Sequence, residues 1–212
     1  HATSKGGFTP LLFAIREGRA DSARALLKAG ASPNEVMARP KRSDLRTTRT
    51  SIAGTSALLL AVANAHFELA SALLDAGADP NLNGRGWTAL HEITWVRKSG
   101  GGSNDPSPIG SGSLDSLELV KKLVAHGAKV NATMTKRWTG GYTVLNMIGA
   151  TPFMMAARTG DADLMRVLAK LGADTNMPNV DGTTPLMVAA GVGTRSPGED
   201  PGAVVEAPLV ID

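Results

Sequence analysis

The stretch from Gly149 to Asn176, GATPFMMAARTGDADLMRVLAKLGADTN, leaves few folds open to this chain. It reads as two short helices joined by a turn. Thr151 is placed to N-cap the first helix, and Pro152 suits its first turn, where a missing N–H costs nothing. Phe153, Met154, Ala156 and Ala157 give that helix an apolar face of mostly small residues. Gly160 stops it and Asp161 restarts the chain. Leu164, Val167, Leu168 and Leu171 then recur at helical spacing, and Gly172 is placed to end the second helix in a left-handed cap. A pair this short cannot bury both of its faces alone, so it requires neighbours of the same kind.

The neighbours are in the sequence. Thr9-Pro10-Leu11 leads to Leu26-Leu27 and then Gly30-Ala31-Ser32-Pro33-Asn34. Ser56-Ala57-Leu58 leads to Leu73-Leu74 and Gly77-Ala78-Asp79-Pro80-Asn81. Thr88-Ala89-Leu90-His91 leads to Leu123-Val124 and Gly127-Ala128-Lys129-Val130-Asn131, and Thr184-Pro185-Leu186 opens a fifth copy. In three of the four complete copies the proline-type position and the terminal glycine stand 20 residues apart (10 to 30, 57 to 77, 152 to 172). In the third the gap is 38 (89 to 127), which marks an insertion between its helices.

This pattern resembles the ankyrin repeat, roughly DG-TPLH-AA--G---V--LL--GADVN over about 33 residues. The resemblance implies an all-α fold: an ankyrin-repeat solenoid of stacked helix–turn–helix units with hairpin-like fingers along one edge. It implies about four complete repeats plus a partial fifth, at 6–34, 54–81, 86–131 with an insert at 97–113, 149–176 and 181–212. Residues 1–212 then form a single array. In that family, partners bind the fingertips and the groove lined by the first helices. The physics agrees, because each unit buries its apolar face only against the next.

Two segments interrupt the pattern at finger positions, residues 35–53 and 132–148. The first, EVMARPKRSDLRTTRTSIA, is polar and shows no sustained periodicity; it should lengthen the finger between the first two repeats. The second carries Trp138, Tyr142, Val144, Leu145, Met147 and Ile148, and its latter half should pack on the array. The insert RKSGGGSNDPSPIGSGS is rich in Gly, Ser and Pro and predicts a mobile loop, over residues 98–113, between helices ending near Val96 and starting at Leu114. Lengthening a turn to about 20 residues costs only ~1.5–2 kcal/mol in closure entropy. Long finger, plain repeat and repeat with insert occur twice in that order, at offsets of 95 and 96 (57 to 152, 89 to 185), as duplication of a two-repeat block predicts. The first helix of the fifth repeat should end within Val188 to Val192. The ending AVVEAPLVID fits no repeat, since Pro208 would break a helix there.

Aromatic residues make up 4% of the chain and no cysteine occurs, which excludes disulfides and thiolate metal sites. No apolar run approaches the ~18 residues of a membrane helix. The N-terminal HATSKGG is no signal peptide, having no apolar run of its own. The chain starts at His1 almost inside one repeat and stops inside another, so it reads as a piece of a longer protein. Net charge is +3, and residues 35–53 hold five basic and two acidic side chains, an excess equal to the whole. The balanced remainder does not favour nucleic acid as a partner.

No catalytic, cofactor or metal site emerges. His91-Glu92 lacks the second metalloprotease histidine, because the residue four positions on is Trp95. His91 occupies the histidine position of the repeat, which implies a structural hydrogen bond between neighbouring fingers. His66 and His126 lie in unrelated repeats. Gly84-Arg85-Gly86 and Gly100-Gly101-Gly102 lack the strand and the Lys-Ser/Thr of a phosphate loop. The serines of GSGS lack the strained turn a nucleophile needs.

The residues that depart from the repeat are the informative ones. Trp87 stands at a variable position near a fingertip, and Trp95 on a first helix at a position that faces the groove. Trp138 and Tyr142 lie in the second long finger, and Arg39, Arg42, Arg46 and Arg49 in the first. Aromatics and arginines are the usual anchors of binding surfaces; the competing reading is that the tryptophans cover neighbouring insertions and the basic finger is merely solvated. The expectation is a non-catalytic protein–protein interaction scaffold, with no cofactor and no small-molecule substrate, whose protein partner is acidic with an exposed hydrophobe. Segments such as Gly54 to His66, Gly86 to Lys98 and Leu145 to Asp161 resemble those of long, often exported bacterial arrays. That resemblance implies a fragment or subunit of a larger bacterial protein or assembly. Alternatives are a docking module of a larger enzyme or complex, or an anionic-ligand or nucleic-acid binder acting through residues 39–49.

Overall fold

In the computed structural model, residue 4 and residues 7–38, 53–98, 108–136 and 144–193 are described. Among them nine helices form: α1 (Pro10–Arg16), α2 (Ala20–Lys28), α3 (Ala57–Ala63), α4 (Phe67–Asp75), α5 (Ala89–Arg97), α6 (Ser116–Ala125), α7 (Pro152–Arg158), α8 (Ala162–Lys170) and α9 (Pro185–Ala189). The described residues hold no strand, only one antiparallel bridge between Val36 and Ser56. The chain packs as two compact units, one of residues 1–89 with 109–127, the other of residues 90–108 with 128–212.

The short first helices start where their hydroxyl caps dictate. Thr9 accepts from Leu12 N–H at 3.1 Å, Ser56 from Leu59 at 3.1 Å and Thr151 from Met154 at 3.2 Å. Each cap satisfies one of the N–H groups a helix start leaves without an intrahelical partner. The helices that follow end at Gly30, Gly77, Gly127 and Gly172, with φ of +93°, +90°, +90° and +93°. A Cβ at any of these four would meet no atom within 4 Å, so the backbone angle alone selects glycine there.

In the first unit α1 packs on α2 and α3, α3 on α4, and α4 on α6. Leu11, Leu12, Ile15, Leu58, Leu59, Leu73, Leu119 and Leu123 are fully buried. Each such side chain contributes about 1.5–3 kcal/mol by leaving water. In the second unit α7 packs on α8 and α9, and every residue of α7 is buried. The all-α repeat class expected from the sequence is what forms.

Two features differ from expectation. The helix of the third repeat begins at Ser116 rather than Leu114, because the Asp115 carboxylate accepts from Leu117 N–H at 3.0 Å and caps it there. The first helix of the fifth repeat ends at Ala189, within the expected stretch, and Gly191 takes φ +100° as the chain turns. The insert is not loose throughout: residues 109–113, expected to be mobile, are tied to the second repeat. The stretch 99–107 lies outside the described residues.

Candidate interaction surface

Both long fingers are closed at their base in the same way. Met37 N–H donates to Thr55 O (2.9 Å) and Gly54 N–H to Met37 O (3.0 Å); Met134 N–H donates to Ala150 O (2.9 Å) and Gly149 N–H to Met134 O (2.8 Å). Gly54 and Gly149 hold φ of +83° and +85°. They also let the next finger pass: a Cβ on Gly54 would sit 2.9 Å from Gly84 C and O, and one on Gly149 2.9 Å from Val180 N. The latter half of the second long finger packs as expected, with Leu145 and Met147 buried and Val144 exposed.

His91 is buried in the second unit, and its Nε2 lies 3.1 Å from Ala150 O. A carbonyl only accepts, so Nε2 carries the proton of the neutral ring. Burial pushes its pKa down to about 4, against the opposing pull of the Ala150 and Ala132 carbonyls. The structural hydrogen bond expected of this histidine is present.

The sequence reasoning missed the asparagines that close each GA-x-x-N stretch. Asn34 Nδ2 donates to Gly77 O (3.2 Å) while its Oδ1 accepts from Asp79 N–H (2.7 Å). Asn81 Nδ2 donates to Gly127 O (2.9 Å). Asn131 repeats the double contact on Gly172 O (3.3 Å) and Asp174 N–H (2.8 Å). The recurrence of Asn four residues after the capping glycine was the available signal.

Of the eight expected binding residues, two are described. Arg39, Arg42, Arg46, Arg49, Trp138 and Tyr142 lie outside the described residues. Trp87 belongs to the first unit and is 5% exposed, with the Arg85 guanidinium 4.5 Å above its ring. What it offers a partner directly is therefore small, and the cation it carries is the outward group. Trp95 is half-buried on α5. Arg97, two residues further, makes a two-pronged ion pair with Asp161 (2.7 and 3.1 Å), and Lys98 Nζ donates to Gly160 O (3.3 Å). Asp161 is buried and also caps α8 through Leu164 N–H.

The structure adds a further exposed group in the first unit. Phe8 and Phe13 meet edge to face at 6.4 Å, and the Arg16 guanidinium lies 4.9 and 4.6 Å from their ring centres. Beside them is an open groove of about 380 Å³ between α1 and α2, floored by Pro10, Phe13, Ala14 and Leu26. Among the described residues no group of three or more His, Asp or Glu stands close enough to share a metal ion. No helix among them is long and apolar enough to cross a membrane.

Helix pairs with hydroxyl caps, glycine ends and fingers bonded to their neighbours define an all-α repeat protein. The chain belongs to the ankyrin-repeat family: residues 111–195 match ankyrin repeats in three copies, and residues 6–37 and 53–84 each match a single ankyrin repeat. It is also similar to the neurogenic locus Notch protein of Drosophila melanogaster, 30% identical over 109 residues, which are 51% of this chain and 4% of that protein. The chain thus spans only a small part of that relative's length. Ankyrin repeats mediate protein–protein interaction and are typically non-catalytic.

Proposed function

We infer that the chain is a non-catalytic scaffold for an acidic protein partner, within a larger bacterial protein or assembly of the exported type, its residues 1–212 forming one array. The observation that supports this reading most is the closed finger base at Met37 and Gly54. It joins the chain on either side of the basic segment that carries Arg39, Arg42, Arg46 and Arg49. Clustered arginines steer an acidic partner and orient it, while aromatic anchors carry affinity. Trp95 is the anchor on α5, Trp138 and Tyr142 those of the second long finger, and Trp87 acts through the guanidinium it supports.

The test captures partners from a bacterial extract with the full chain and compares three baits by quantitative mass spectrometry. Replacing the four arginines by glutamine should slow association with an acidic partner most at low salt, where screening is weakest. Trp95→Ala should weaken the same partner by roughly 1–3 kcal/mol. Both variants should keep the helical circular-dichroism signal. A partner retained equally by all three baits places the surface elsewhere. Capture of nucleic acid with a steep salt dependence replaces the reading with the anionic-ligand one.

A further inference from the structure

The insert of the third repeat looks, by composition, like a tether. Its last residues behave otherwise. Ser113 N–H and Ser113 Oγ both donate to Glu68 Oε1, at 2.7 and 2.9 Å. Ser111 Oγ lies 2.8 Å from His66 Nδ1. Glu68 and His66 stand at the head of α4, just after the turn from α3, whose Ala65 takes φ +55°. All of these residues belong to the first unit.

The two glycines of the stretch are the shape half of the contact. A Cβ on Gly112, at φ +95°, would fall 2.4 Å from the Glu68 carboxyl carbon; one on Gly110 would fall 3.0 Å from Ala65 O. The turn of the first repeat makes room as well, since a Cβ on Gly18 would be 2.7 Å from His66 Cε1. So an Ile-Gly-Ser-Gly-Ser segment is seated where only alternate glycines allow the approach. Nothing apolar holds it there. Ile109 is 95% exposed, and residues 110–113 have no large apolar side chain. A contact of this kind rests on its acceptors alone, and one carboxylate provides most of them.

We propose that residues 109–114 are a latch on the α3–α4 turn, closed by the ionised Glu68 carboxylate and opened when that charge is removed, which frees the insert's end from His66 and Glu68. Ionised Glu68 accepts from the Ser113 amide and hydroxyl and from the Leu114 amide, and these bonds hold its pKa below the ordinary carboxylate value. The latch is therefore closed at neutral pH and opens as pH falls through that lowered pKa. The other charged groups around it are Arg24 on α2, which favours the ionised form, His66 itself, and Asp115 at the head of α6. A Glu68 variant separates the Glu68 charge from that of Asp115.

Hydrogen exchange of the full chain, read as protection factors for the Ser113 and Leu114 amides, tests the latch. Glu68→Ala and Gly112→Val should each lower protection about tenfold at neutral pH, the scale of losing a charge-assisted hydrogen bond. The wild type should lose the same protection in acid, whereas Glu68→Gln should show no further acid step. Ile109→Ser should change nothing. If Glu68→Ala also loosens α4, Gly112→Val reads the latch alone. Wild-type amides exchanging as in an unstructured peptide, or protection unchanged in Gly112→Val, overturn the proposal.

Discussion

His91 makes the stability of the second unit depend on pH in a way that one substitution should erase. Its pKa falls from 6.5 to about 4 on burial. The unfolded chain therefore binds the extra proton between those values, and stability rises with pH across that window. Above pH 6.5 the contribution is complete; it is lost as pH falls toward 4. A shift of this size corresponds to about 3 kcal/mol, most of it gone by pH 4.5 and somewhat under half by pH 5.5. In His91→Leu the titrating ring is absent. Leucine occupies the equivalent position in the first two repeats, at Leu12 and Leu59, both buried, so the side chain fits such a site. The variant forfeits the bond to Ala150 O, a carbonyl that Met134 N–H still serves, a cost of about 1 kcal/mol at pH 7.5. Urea unfolding followed at 222 nm from pH 4.5 to 8 should give two curves that approach each other as pH falls and cross between about pH 5 and 6. Carboxylates titrate in both proteins and cancel in the difference. A difference that stays constant across this range would refute the reasoning, since the ring would then not be neutral and buried in the folded chain.

Other consequences are simpler to measure. Gly149→Ala combines a strained φ with a Cβ 2.9 Å from Val180 N, whereas Gly172→Ala meets open space; the first should cost about 2–4 kcal/mol and the second about 1 kcal/mol in chemical denaturation. Asn131→Ala removes the contacts to Gly172 O and Asp174 N–H and should lower stability by about 0.5–1.5 kcal/mol, with Asn131→Asp no better because it loses the donor. Arg97→Ala leaves the buried Asp161 carboxylate without its two-pronged partner and should cost about 3 kcal/mol at pH 7 in chemical denaturation.

The helix starts and stops were legible because local chemistry sets them. A hydroxyl before a proline or alanine, and a glycine where φ must be positive, give the same answer whatever the rest of the chain does. His91 was legible because the repeat pattern names its position. The asparagine bridges were not, since Asn34 and Asn131 act on backbone more than forty residues away and only stacking brings them there. The seating of Ser111 and Ser113 was hidden for a similar reason: glycines that suggest a tether also permit a close approach, and only Glu68 and His66 distinguish the two. Trp87 shows the limit of reading by position. Its place in the repeat suggests a fingertip, while the side chain folds under Arg85. The segments carrying Arg39 to Arg49, Trp138 and Tyr142 gave no periodicity to read.

The paired finger bases have an evolutionary and a practical consequence. Met37 with Gly54, and Met134 with Gly149, form identical backbone clasps around stretches whose sequences share nothing obvious. The clasp sets the register of the repeats on either side, so the segment between Met37 and Gly54 can change in length at a cost set by the slow growth of closure entropy. Leu145 and Met147, buried inside the second clasp, must stay. Each clasp is in effect a socket for an interchangeable cassette. A foreign recognition sequence grafted between Met37 and Gly54, or between Lys136 and Val144, should be displayed from a host that folds as before. New specificity could be drafted into such a chain one socket at a time.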